Sequence, residues 1–380
     1  MSSSTLSHHP DLPAIDTNLE EDPFSPKRIM LISIPGTAVD ILSQILNIPK
    51  QPKVLFNRAL TLNSTGFRTA VDRDLIHSAL KTWTYEDKLA IFNTNQSSLY
   101  NMEKYSAAAA KQEKILVSRA NVSWFINPAS PVWTGDESDD DGDPDNDDEE
   151  ILAKREQAWL FTVDVSRKYA HHVISSPTPS FLSLCGEDGY VNINPTNHTV
   201  FPNEYLHTWR AIFVIHHPIQ TIPLLYRRLN TMQQQGRFSE DMLVPVFKLN
   251  ADMRAMRKMY LWYMESHCGP KTPIQLIVDV ADVIYKSETV LVDVCREVGL
   301  DESVIDHVAA YRLMGEMGLV NAGLVLNGLE KLVAVLFPIW VREFGLDAAG
   351  LIRGAVREAM PHYEYLKERR VGVPHGMYGS

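Results

Sequence analysis

The chain has 380 residues, 45% of them hydrophobic and 22% charged, which excludes a largely disordered or fibrous protein and sets the expectation at one large α/β domain or two ordinary ones. Its three cysteines, Cys185, Cys268 and Cys295, are odd in number and far apart, which excludes a disulfide framework and any C-x-x-C zinc pair. The net charge is -11, yet eleven of the 47 acids lie in one run from Asp136 to Glu150, and without that run 36 acids face 36 bases.

A near-neutral body has no clustered excess of Lys and Arg, so neither nucleic acid nor a membrane is expected as a partner. The acidic run has no apolar residue and repels itself, so 134–150 reads as a disordered, solvated insertion. As a calcium loop it fails, because Pro144 interrupts the frame and Asp148 stands where a bidentate Glu belongs. Residues 1–25 are rich in Ser, Pro and acids and lack the apolar stretch of a signal peptide. They read as a disordered tail, as do residues 372–380, and a cytoplasmic location is expected. The remainder, 26–371, reads as one domain.

In chain order, RIMLISI (Arg28 to Ile34) is an apolar run without helical period and reads as a buried strand. Pro35-Gly36-Thr37 breaks it, and AVDILSQIL (Ala38 to Leu46) carries apolar residues at helical spacing. Strand, tight turn and helix form the opening of a nucleotide-type α/β fold. Residues 75–115 read as mostly helical, and Trp124 to Trp133 as a Pro-rich aromatic loop. AWLFTVDV (Ala158 to Val165) is a candidate strand, followed by SRKYAHHVI. AIFVI (Ala211 to Ile215) is a second buried strand, ended by His216-His217-Pro218, and a helix follows despite Pro223. Residues 246–266 read as one long amphipathic helix, and IQLIVDV (Ile274 to Val280) as a third buried strand with a helix at Glu288 to Val298. The last third reads as helical, interrupted at Pro338 and Pro361. Strands alternating with helices predict a parallel sheet covered on both faces, with the ligand at the carboxyl ends of the strands.

Four segments, in this order, carry a resemblance: KRIMLISIPGTAVDILSQILNIPKQP, NINPTNHTVFPNEYLHTWRAIFVIHHPIQTIPLLYRR, IQLIVDVADVIYKSETVLVDVCREVGLD and MPHYEYLKERRV. Together they resemble the P-loop sulfotransferase family, in particular the sulfotransferase-like proteins common in fungi, over residues 27–370. The resemblance implies a central parallel sheet flanked by helices with a helical C-terminal part. It also implies a cleft for the sulfuryl donor PAPS beside a small-molecule hydroxyl or amine. The donor-binding positions it implies are Pro35, Gly36, Thr37, Ala38 and His216. The proton carrier it implies is one of Tyr169, His171 and His172, with Arg167 at the position of the family's lysine.

At several of these positions the chain departs from the pattern. Gly36 stands where the family's loop carries a cation, and Val39 where the next helix carries a hydroxyl, with Asp40 after it. His216 replaces the arginine that grips the 3′-phosphate, and Leu224 the serine beyond it. Each lost charge-assisted hydrogen bond is worth roughly 1.5–3 kcal/mol, so four such losses, even at half value, weaken the donor by more than about a hundredfold. The expectation is a tailoring enzyme of specialised metabolism on the sulfotransferase fold, working by another transfer, condensation or cyclisation. PAPS is doubtful as its cofactor. The alternatives are a PAPS-dependent sulfotransferase, with Arg210, Arg227 or Arg228 supplying charge, and a non-catalytic binding protein. No metal is expected, since adjacent histidines rarely reach one ion. Asp279 and Asp282 read as helix-capping residues, and His217 as architectural.

Overall fold

The computed structural model describes residues 28–36, 38–61, 64–76, 78, 80–128, 130, 197–266, 275–309, 312 and 328–371. Five strands form one parallel sheet: β1 (Arg28–Ser33), β2 (Val54–Thr61), β3 (Ile115–Asn121), β4 (Arg210–Ile215) and β5 (Leu276–Asp279), in the order β2-β3-β1-β4-β5. β1 lies at the centre, with Ser33 opposite Asn121 of β3 and Ile29 opposite Arg210 of β4. Parallel strands need crossover connections, so helices cover both faces and the strands bury residues on both sides. Ile29 and Leu31 of β1 pack on one face against α1 (Ala38–Ile45), α8 (Val280–Tyr285) and α9 (Ser287–Val298). Met30 and Ile32 pack on the other, against α3 (Tyr85–Lys111), α5 (Pro218–Gln234), α7 (Met253–Ser266) and α11 (Leu346–Lys367). The remaining helices are α2 (Ser64–Asp72), α4 (Asn203–His207), α6 (Leu243–Ala251) and α10 (Gly328–Phe344). Among the described residues, no helix is long and apolar enough to cross a membrane.

The α/β class, the strand-turn-helix opening and the strands ending at His216 and Asp279 match the sequence expectation. Several elements differ. The helix expected over 75–115 begins only at Tyr85, where Thr84 and Asp87 form a reciprocal capping box. It stops at Lys111, and Ile115 already belongs to β3. The long helix over 246–266 is two helices, because Asp252 takes an extended conformation and its carboxylate accepts the Arg254 N–H at 2.8 Å. The C-terminal helices run through Pro338 and Pro361 and break instead at Gly345, whose φ of 88° lies in the left-handed region. A proline removes one backbone hydrogen bond from a helix. Packing of the apolar faces of α10 and α11 offsets that loss, whereas a positive φ ends the helix. The candidate strand at 158–165, the segment 166–174, the acidic insertion and both tails lie outside the described residues.

At the amino edge of the sheet, Arg28 and Glu103 tie β1 to α3. The guanidinium donates twice to the carboxylate, at 2.9 and 3.1 Å, and lies 5.6 Å from the Trp209 ring centre. Both side chains are buried.

Candidate functional site

The carboxyl ends of β1, β3, β4 and β5 meet on one side of the sheet, opposite the Arg28–Glu103 pair. After β1, Pro35 is buried, Gly36 is partly exposed and Ala38 opens α1 with 2% exposure. Thr37 lies outside the described residues, as do Tyr169, His171 and His172, so the proton-carrier positions are not placed. Asp40 sits in the first turn of α1, where a carboxylate complements the helix dipole. It also holds a partner: Arg119 of β3 reaches it at 2.8 Å.

The β4–α5 turn presses against this loop. A Cβ built on Gly36 meets the Thr221 methyl at 3.0 Å. Thr221 is 1% exposed, and its hydroxyl donates weakly to the carbonyls of His216 and His217 at 3.4 and 3.3 Å. The missing side chain at Gly36 therefore makes room for a neighbouring turn. Gly36→Ala is expected to cost about 1–3 kcal/mol by overpacking. Thr221→Ser, which keeps the hydroxyl and removes the methyl, should recover most of that loss. Urea unfolding of both variants checks this, and an unaltered midpoint for Gly36→Ala would mean that the turn yields freely.

His216 is 3% exposed, and neither ring nitrogen has a hydrogen bond of good geometry among the described residues, although the Gln220 side chain lies near. Burial lowers its pKa to about 4, so the ring is neutral at pH 7. His217 caps α5, its Nδ1 accepting the Ile219 N–H at 3.2 Å while its ring leans on Tyr363. Burial, helped by Lys367, lowers its pKa to about 4 as well. His217 is thus structural. Leu224, which stands where the resemblance implies a serine, is 37% exposed on α5.

At the end of β5, Asp279 caps α8 by accepting the Ala281 N–H at 2.9 Å, and it accepts a hydrogen bond from the Tyr363 hydroxyl at 2.7 Å. Burial raises its pKa despite these bonds. Asp282 pairs with Arg370 and Lys286. Of the arginines expected as substitute cations, Arg210 and Arg227 are engaged elsewhere. Arg210 begins β4, at the opposite edge of the sheet, and donates to the Glu297 carbonyl. Arg227 is bound to Glu343, and Arg228 is exposed on α5.

Sequence reasoning brought Gly36 and His216 to one edge and missed Arg119, Tyr363 and Lys367. A recess lies next to the end of β3, lined by Val122, Ile126, His198, Ala255, Met259 and Trp262 among others, the last three from the Met- and aromatic-rich face of α7. Among the described residues, no cluster of three or more His, Cys, Asp or Glu is arranged to hold a metal. At the two positions where the resemblance implies phosphate contacts, Gly36 and His216 do not offer the groups that PAPS would need. One position has no cation, and a neutral imidazole is no substitute for a guanidinium fork.

No protein-family model matches this chain. It is similar to the sulfotransferase ppzF of Metarhizium rileyi, 23% identical over 377 residues that cover 93% of this chain and 99% of the relative. It is 24% identical to the sulfotransferase ppzF of Metarhizium majus over 372 residues, covering 91% and 97%. A solved sulfotransferase domain from the Synechococcus PCC 7002 olefin synthase overlaps 77% of this chain and 80% of its own, with 12% identity and a TM-score of 0.30.

Proposed function

We propose that this chain, sulfotransferase-like along nearly its whole sequence and in its α/β fold, is a small-molecule tailoring enzyme that no longer holds PAPS as sulfotransferases do. The old donor-acceptor cleft then serves another transfer, condensation or cyclisation, with Tyr169, His171 or His172 moving the proton.

One observation carries this reading: the loop after β1 is filled from within. Gly36 offers no cation, the Thr221 methyl occupies the space beside it, and the positive end of α1 already has Asp40. Asp40 in turn neutralises Arg119 of β3. A phosphosulfate entering here would displace an ion pair rather than meet a free charge.

A second reading, PAPS-dependent sulfotransfer with rewired contacts, is favoured by the cations at the end of α11. Lys367 lies close enough to His217 to depress its pKa, and Arg370 is held beside it at Asp282. These two would have to supply what Gly36 and His216 lack.

Calorimetric titration with PAP at low salt separates the readings. The expected result is no heat below millimolar PAP. Micromolar binding would overturn the first reading in favour of sulfotransfer. As a gain-of-binding arm, Gly36→Arg and His216→Arg are introduced with Thr221→Ser, which clears the space that the new side chain at position 36 needs. Restored PAP binding in that variant is expected if only the phosphate contacts have been lost.

A further inference from the structure

Arginines stacked on aromatic rings recur in this structure, each with a carboxylate at hand. Arg28 lies over Trp209 and pairs with Glu103, and Arg227 lies over Phe344 and pairs with Glu343. Arg353, over Phe337, lies near enough to Glu330 to help lower its pKa. Tyr365 of α11 departs from this pattern, because two guanidiniums share its ring. Arg257 of α7 lies 4.1 Å from the ring centre, and Arg369, just past α11, lies 3.7 Å from it. At those distances two guanidiniums do not fit on one face of a ring, so they bracket it, within about 8 Å of each other.

The charges around this ring do not balance. Among the described residues, Arg257 meets no carboxylate. Arg369 donates from Nη1 to the Tyr365 carbonyl at 2.9 Å and has only a loose contact of 3.6 Å with Glu368. The neighbouring acids already have partners: Asp252 has Arg254, Glu364 has Lys367 and Asp282 has Arg370. Two cations against one acid leave an excess of one positive charge beside a partly buried ring. Stacking uses the face of a guanidinium, so the N–H donors at its edges remain for a ligand.

Both arginines stand toward the carboxyl ends of the strands. α7 runs back along the sheet, since Tyr263 near its end donates to the Leu206 carbonyl, ahead of β4, at 3.3 Å. Arg257 precedes Tyr263 by about 9 Å of helix, toward the opposite edge. On α11, Tyr363 is bonded to Asp279, the last residue of β5, and Tyr365 follows within the same turn.

We propose that Arg257 and Arg369 form a clamp for a carboxylate of the small-molecule substrate, with Tyr365 as the positioning residue that holds the two guanidiniums. The inference rests on the proposed small-molecule chemistry at this edge of the sheet and adds that the substrate is an acid. A carboxylate brings the single negative charge that the excess calls for and matches the guanidinium fork. A phosphate group near neutral pH brings nearly two charges and overshoots it.

The probes are benzoate and its neutral isostere benzamide, titrated into the full chain without nucleotide while the arginine Nε signals are followed in 15N spectra. At low salt, benzoate is expected to shift the Arg257 and Arg369 signals together. It should bind about tenfold more tightly than benzamide, the worth of one screened charge-assisted contact. Salt at about 0.5 M should remove most of that preference. Arg257→Gln and Arg369→Gln should each weaken benzoate by about tenfold and leave benzamide unchanged. Both side chains reach solvent, so the fold tolerates either change. Tyr365→Phe, which keeps the ring, should bind benzoate as the wild type does, and Tyr365→Leu should bind it several-fold more weakly. Equal binding of the two probes, a preference that survives either Gln variant, or no shift at tens of millimolar benzoate would overturn the proposal. Inorganic phosphate binding more tightly than benzoate would overturn it too, by assigning the clamp to phosphate groups. Micromolar PAP binding that leaves the benzoate affinity intact would retire the proposed loss of PAPS and keep the carboxylate clamp, so the two failures are distinguishable.

Discussion

Glu103→Ala is expected to destabilise the protein by about 3–5 kcal/mol, the cost of breaking a buried ion pair from one side. The Arg28 guanidinium is left behind with 4% exposure, its charge facing the Thr208 hydroxyl and the Trp209 ring. Those contacts do not neutralise it. Glu103→Gln should cost less, since an amide oxygen still accepts a hydrogen bond. Arg28→Met combined with Glu103→Leu should recover much of the loss, because removing both charges abolishes the desolvation cost together with the attraction. Urea midpoints at constant slope measure all three. A loss under about 1 kcal/mol for Glu103→Ala would mean that water reaches the pair. The pair sits at the amino edge of β1, far along the strand from Gly36, so ligand binding in folded Glu103→Gln should be unchanged.

What could be read from the chain, and what could not, follows from which interactions leave a local mark. β1, β4 and β5 are buried on both faces and are continuous apolar runs ended by Pro35, His216-His217-Pro218 and Asp279. Such runs announce themselves. β3 hides because ILVSRAN turns polar halfway and follows the Ala-rich end of α3 after only three residues. β2, at the sheet's edge, mixes Asn57 and Arg58 into its run, and its register with β3 shifts after Phe56. Missing β3 also meant missing Arg119, whose partner Asp40 is far away in sequence and reaches it only because β3 lies next to β1. The site was legible as positions and not as contacts. Gly36 and His216 stood out by their place in a resemblance, but that Thr221 fills the space at Gly36 is a property of two elements meeting. The breaks at Asp252 and Gly345 had local causes, an Asx-type cap and a left-handed glycine. They were outweighed by unbroken apolar periodicity over 246–266 and by the usual weight of Pro338 and Pro361 as helix breakers.

Lowering the pH from 7 toward 4 should destabilise the fold through His216. Its folded pKa is about 4, against roughly 6.5 in an unfolded chain. The unfolded state therefore binds the proton first. The stability tied to the neutral ring is complete above about pH 6.5 and is lost as the pH falls to the folded value. At 1.36 kcal/mol per unit, the loss is about 2 kcal/mol at pH 5 and about 3 kcal/mol by pH 4. His217, also lowered to about 4, titrates with it as a neighbouring pair, so the observed curve belongs to both rings. Asp279 acts in the opposite sense, because burial raises its pKa and protonation on acidification relieves a cost. The comparison that isolates His216 is the stability difference between pH 7 and pH 5 in the wild type and in His216→Gln, where the slope should be smaller by about 2 kcal/mol. An equal slope in the two proteins would mean that His216 takes up its proton in the folded state, next to water or an anion. Repeating the wild-type measurement with PAP then distinguishes those cases. A nucleotide phosphate seated against His216 would favour the charged ring and flatten the acid limb. An unchanged limb with PAP present is the outcome expected under the proposed loss of the 3′-phosphate contacts.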